Sequence, residues 1–201
     1  MTIGRSIVAT FALAAAALTS ALAEDQSLLE RCWTPEALSH SEKELKPGRA
    51  TARFDLAALK EAAPDTATPM PPELRGSIRS VELPQGVKLI ALTFDLCESG
   101  GGTAGYDGRI VDLLRAQEAT FFASGKWLET HPERAQQLIA DPNFEIGAHG
   151  LRHLDLSHFS SQAVNEEITL PQAAYDRARN ALMARQCASD AAPQQTPRPN
   201  G

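Results

Sequence analysis

The chain has no excess of basic residues: 19 Lys and Arg stand against 25 Asp and Glu, a formal net charge of −6 with a pI near 5.4. Surfaces that grip phosphate backbones or anionic lipid need clustered Lys and Arg, so nucleic acid is not an expected partner. Nor is there an apolar run of the roughly 20 residues that a membrane span requires; the stretch Ile7 to Leu18 is shorter, and no later segment is apolar enough. Cysteine is scarce, at 3 residues. The glycine-rich run Ser99-Gly100-Gly101-Gly102-Thr103 lacks the Gly-Lys-Ser/Thr ending of a phosphate loop and reads as a flexible rim loop.

What is present begins with an export signature. Arg5 supplies the positive start, Ile7 to Leu18 the short apolar stretch, and Ala21-Leu22-Ala23 the small residues of a cleavage site, so residues 1–23 are expected to be removed and Glu24 to begin a secreted or periplasmic chain. Export permits oxidation, and three cysteines then give one disulfide and one free thiol. Cys32 and Cys187 lie in the flanks, where they could staple the ends together, and Cys97 lies inside the most informative motif; the pairing stays open. A length of 201 residues, 43% apolar and 22% charged, suits one globular core with trimmings.

Residues 24–85 show little periodicity, and Pro64, Pro69, Pro71 and Pro72 break helices, so this part reads as an extension and linker. A short helix over Phe54 to Ala62 is expected, with Leu56 and Leu59 too few to define a core face. At Val87 the pattern changes: Val87 to Phe94 is a nearly continuous apolar and β-branched run, as expected for a parallel strand buried on both faces. Asp107 as N-cap with Ile110, Leu113 and Leu114 predicts a helix, Ala119 to Ala123 a second strand, and Pro132 in a first turn with Ala135, Leu138 and Ile139 a second helix. Phe144 to Gly147 reads as a third strand, and Val164, Ile168, Tyr175, Ala178 and Leu182 as a long amphipathic helix broken or restarted at Pro171. This alternation marks a parallel α/β sheet or barrel over residues 86–188. The Ala, Gln and Pro of 189–201 predict a disordered tail.

Asp95 stands at the carboxyl end of the first strand, where parallel α/β folds collect catalytic groups. His149 and His153 follow the third strand four residues apart, a spacing that puts both imidazoles on one face if they lie on a helical turn. Strand ends of a parallel sheet share one rim, so a carboxylate and two imidazoles would meet there. That set suits a divalent metal able to activate water for amide or ester hydrolysis.

Leu92-Thr93-Phe94-Asp95, then Ala119-Thr120-Phe121-Phe122, then Glu145-Ile146-Gly147-Ala148-His149 through His153, in that order and spacing, resemble the polysaccharide deacetylase (NodB-like, chitooligosaccharide deacetylase) family over roughly Val87 to Arg185. The resemblance implies a distorted, incomplete (β/α) barrel of the polysaccharide deacetylase type, here partial, with an N-terminal extension. It implies a hydrolase that removes acetyl groups from N-acetylglucosamine polymers or other acetylated polysaccharides or oligosaccharides. Asp95 matches the family's catalytic base, and His149 and His153 its metal-binding histidines, with zinc or cobalt as the expected ion.

Three departures qualify the resemblance. Leu96 stands where the family has a second Asp as metal ligand; Glu98, with the parity of Leu96 and a longer reach, is the expected replacement, and a Cys97 thiolate, favouring zinc, is the alternative. Ala148 and Gly150 flank His149 in place of Asn and Ser or Thr, which removes outer hydrogen bonds. The family's later Arg-Pro-aromatic motif, Asp and final histidine are not found before Gly201, so slow turnover is expected, with a truncated or noncatalytic, sugar-binding remnant as the competing reading.

Overall fold

The computed structural model describes residues 26–42, 52–63, 71–72, 76, 80–97 and 106–189. The export signature, the glycine-rich loop, Glu98 and all of the expected tail except Ser189 lie outside the described residues.

Three parallel strands, β1 (Thr93–Leu96), β2 (Ala119–Ala123) and β3 (Phe144–Ala148), form one sheet in the order β1-β2-β3. Side chains alternate across a strand, and one face carries Phe94 and Leu96, Phe121 and Ala123, and Phe144 and Ile146 into the core. The opposite face, with Thr93, Asp95, Thr120, Phe122, Glu145 and Gly147, is exposed or half-exposed. The strand expected at Val87 to Phe94 is therefore corrected in both position and burial. The strand starts at Thr93, opposite Thr120, with the Leu92 carbonyl accepting from the Thr120 amide at 2.9 Å, because β2 begins only one residue earlier and residues before Leu92 have no strand to pair with. Leu89 and Ile90 are 71% and 88% exposed.

Eight α-helices accompany the sheet among the described residues, α1 (Leu28–Cys32), α2 (Pro35–Leu38), α3 (Leu56–Ala62), α4 (Gly108–Leu114), α5 (Gly125–Thr130), α6 (Pro132–Ala140), α7 (Ser161–Met183) and α8 (Gln186–Ser189), with a 3-10 turn at Leu156–His158. Side-chain oxygens cap most starts, as with Asp107 accepting from the Arg109 amide at 3.0 Å. The buried face of α4 is Gly108, Val111 and Leu114 rather than the expected Ile110 and Leu113, which are exposed. Along α7 the buried residues are Glu167, Leu170, Pro171, Ala173, Ala174, Tyr175, Ala178 and Leu182, whereas Ile168 faces out.

Helix α7 also runs through Pro171 without the expected break. A proline inside a helix loses one hydrogen bond and crowds the preceding turn, at a cost of about 3 kcal/mol. Here the residue is buried against α5, where a Cβ on Gly125 would come within 3.2 Å of the Pro171 Cα and 2.8 Å of Leu151 Cδ1. A glycine at 125 lets the two helices approach closely, and that packing offsets the lost bond.

Among the described residues of the N-terminal extension, α1 and α3 pack onto the globule. Leu59 of α3 is fully buried in the main core. Leu29 and Trp33 join Ala140 and Leu182 in a second cluster, tied by the Cys32–Cys187 disulfide and by Arg185 lying 4.5 Å over the Trp33 ring. At the amino-terminal ends of β2 and β3, Arg115 donates to Asp141 at 2.9 Å and to the Leu38 carbonyl at 3.3 Å, and the Asn143 side-chain amide donates to the Arg115 carbonyl at 2.7 Å.

A candidate metal centre at the strand ends

The carboxyl ends of β1 and β3 hold the residues with chemical capacity. Along β1, Leu96 turns into the core, so Asp95 before it and Cys97 after it share the other side of the strand. Asp95, 62% exposed, lies in one register row with Phe122 and Gly147, and a Cβ at Gly147 would meet the Phe122 ring at 2.6 Å. Its Oδ1 stands 3.9 Å from His149 Nδ1.

His149 leaves β3 with its amide donating to the Ala123 carbonyl at 3.1 Å. The chain then turns in the left-handed region at Gly150 (φ +70°) and again at His153 (φ +58°). The two histidines are therefore not on a helical turn, which corrects the geometry expected from their spacing. The loop nevertheless brings their rings to 4.8 Å between centroids. Two sets of bonds hold it. The first amides of α5, which have no partner inside their own helix, donate from Gly125 to the Gly150 carbonyl at 2.9 Å and from Lys126 to the Leu151 carbonyl at 2.8 Å. From the other side the buried Glu167 carboxylate of α7 accepts from the amides of Leu151 (3.1 Å) and Arg152 (2.7 Å) and from Arg152 Nε (2.7 Å).

Ligand-type atoms of Cys97, His149 and His153 all lie within 4.8 Å of one another. Two donors on one tetrahedral ion sit roughly 3.5 Å apart, given bonds of about 2.1 Å to nitrogen and 2.3 Å to sulfur, so closure by about 1 Å suffices. The donors are imidazole and thiol, and they fit a borderline-soft divalent ion. Burial, and secondly the nearby Asp95 carboxylate, push the Cys97 thiol up. A coordinating cation reverses that bias. Beside the histidines opens a pocket of about 380 Å³ lined by Leu154, Leu156, Glu167 and Ile168 among others.

Of the residues singled out in the sequence, Asp95, His149 and His153 are brought together, Cys97 joins them, and Glu98 lies outside the described residues. Tyr106 and Trp127 are buried core residues stacked on each other at 5.9 Å. Glu167 had not been singled out. Its signal was an acidic residue on the stripe of Val164, Pro171, Ala174 and Ala178, where an unpaired carboxylate would be costly to bury.

The chain is thus a parallel α/β protein that gathers a carboxylate and two imidazoles on the carboxyl rim of its sheet, where such folds collect functional groups. The polysaccharide deacetylase family profile matches residues 82–184, just over half of the chain, and the chain belongs to that family. It is 31% identical over 83 residues to an uncharacterized 30.6 kDa protein in the fumA 3' region of Geobacillus stearothermophilus, a match covering 40% of this chain. The chain spans only 29% of the length of that relative. A solved T48 deacetylase with substrate is 27% identical, covering 44% of this chain and 42% of its own, with a TM-score of 0.36.

Proposed function

We propose that the chain is a metal-dependent hydrolase that removes acetyl groups from N-acetylated carbohydrate polymers, with Asp95 as general base and His149 and His153 as holders of zinc or cobalt. The observation that carries this reading is the convergence of Asp95 on the histidine pair, 3.9 Å from Asp95 Oδ1 to His149 Nδ1, in a chain of the deacetylase family. An ion held there would polarise the acetyl carbonyl and make water acidic enough to react near neutral pH. Asp95 accepts the proton of the attacking water at its carboxylate, and its place on the open face leaves it accessible to a polymer chain. The pocket beside His153, with Leu154 and Leu156 in its lining, offers an apolar surface for the acetyl methyl.

A second reading, carbohydrate binding without turnover, draws on Leu96, which is buried in the core where the family carries a second acid. Acetate release from chitooligosaccharides, with zinc or cobalt supplied, separates the two. Deacetylation predicts that Asp95→Asn lowers the rate by about 10² to 10⁴. Equal, background-level release by both forms, with oligosaccharide still bound, supports the binding module instead.

A further inference from the structure

We propose that Cys97 is the third protein ligand of this centre, so that the metal is held by one thiolate and two imidazoles with a fourth position open. The inference rests on the reading that an ion sits at His149 and His153, and it concerns what completes the set. Three observations lead to it. The alternation of β1 buries Leu96 and turns Cys97 to the side that Asp95 occupies. Its sulfur lies within 4.8 Å of nitrogen donors on both histidines, and no other residue joins that group among the described residues. Cys32 and Cys187 are consumed in the disulfide, whereas Cys97 is free and half-buried.

The chemistry follows from the donors. Forming the sulfur–metal bond breaks the S–H bond, and the proton goes to solvent, because only the thiolate coordinates. A set of sulfur and two nitrogens selects zinc, and cobalt as its spectroscopic substitute, over magnesium or calcium, which prefer oxygen. Three protein ligands and an open fourth position are the arrangement of catalytic rather than structural zinc sites. Asp95, not needed to hold the ion, then stays available as the base.

Cobalt(II) titration of the full chain with its disulfide intact tests the ligand directly. The expected result is one equivalent bound, with an intense sulfur-to-cobalt charge-transfer band in the near ultraviolet, visible bands of tetrahedral strength, and the thiol proton released. Zinc should bleach the spectrum and magnesium should leave it unchanged. In Cys97→Ser the charge-transfer band and that proton should disappear, and affinity should fall by at least the ten- to hundredfold that loss of a mere outer-shell partner costs. Cobalt bound by the parent without the charge-transfer band, and equally by Cys97→Ser, overturns Cys97 as ligand and leaves the histidine site standing. Absence of cobalt binding to a parent whose circular dichroism shows it folded, matching a His149→Ala control, overturns the metal reading itself and this inference with it.

Discussion

The two ends of the three-stranded sheet are built on opposite terms. At the amino-terminal ends Arg115, Asp141, Asn143 and the Leu38 carbonyl are hydrogen-bonded into one set, and the disulfide cluster packs where α6 ends. Burial pushes the Asp141 carboxyl up, and Asn143 and Arg115 pull it back only in part. At the carboxyl-terminal ends Asp95, Cys97, His149 and His153 gather within a few ångströms but are exposed or half-buried, and the Asp95 contact is a loose 3.9 Å. Under the proposed function the groups that would take a ligand or a proton are left loosely placed, and the tighter bonding lies at the far end of the same strands.

The contrast can be pressed hardest at the disulfide. Cys32 and Cys187 are separated by 155 residues, and closing a loop of that length restrains the unfolded chain by about 5 kcal/mol in the chain-entropy account. Replacing both with Ser should lower the unfolding free energy in urea by up to that amount while leaving cobalt affinity of the folded protein unchanged. An equal loss of stability from His149→Ala with His153→Ala would erase the distinction between the ends. Glu167→Gln probes a buried carboxylate that holds the rim loop from the packed side. It keeps the shape but removes the charge that three donors share, so a loss of about 2 to 3 kcal/mol is expected. A ten- to hundredfold weaker cobalt affinity should accompany it, and destabilisation with unaltered affinity would mean that Glu167 supports the fold alone.

The smallest effect belongs to Asp107, a member of neither set. Its loss as N-cap of α4 should cost about 1 kcal/mol. The Arg109 side chain holds its carboxyl down at about 2, from an ordinary 3.8. A lowered folded value means stability present above the unfolded value and lost as pH falls through the folded one. The difference in urea midpoint between parent and Asp107→Ala should therefore be full at neutral pH and shrink on acidification to ~2. A difference that persists unchanged in acid would show that the carboxylate is not its source.

Much of this was legible in the sequence where a rule is local. The span of β2 followed from its composition, the start of α6 from Pro132, and the meeting of strand ends from the α/β alternation. The extent of β1 was not legible, because β-branched residues report a preference for extended backbone and not where the neighbouring strand begins. Nor was the continuity of α7, since the space that Gly125 leaves for Pro171 comes from another helix. The spacing of His149 and His153 was rightly read as proximity but wrongly as a helix, because Gly150 admits a left-handed turn that periodicity does not express. Glu98, expected as a ligand by parity with Leu96, lies outside the described residues, whereas Leu96 faces the core and Cys97 lies with the histidines. Cysteine counting gave one disulfide and one thiol, and only three-dimensional proximity assigned them.

The left-handed backbone at His153 has a kinetic side. A residue with a side chain at φ +58° gives up on the order of 1 kcal/mol, and the loop keeps that shape because α5 and Glu167 grip it on both flanks. The entropy of shaping the rim is thus lost when the chain folds and not again at each encounter. If the rim takes an ion as proposed, an arriving one would have only to shed its own water and draw in the donors, and a departing one would leave the mould standing for the next.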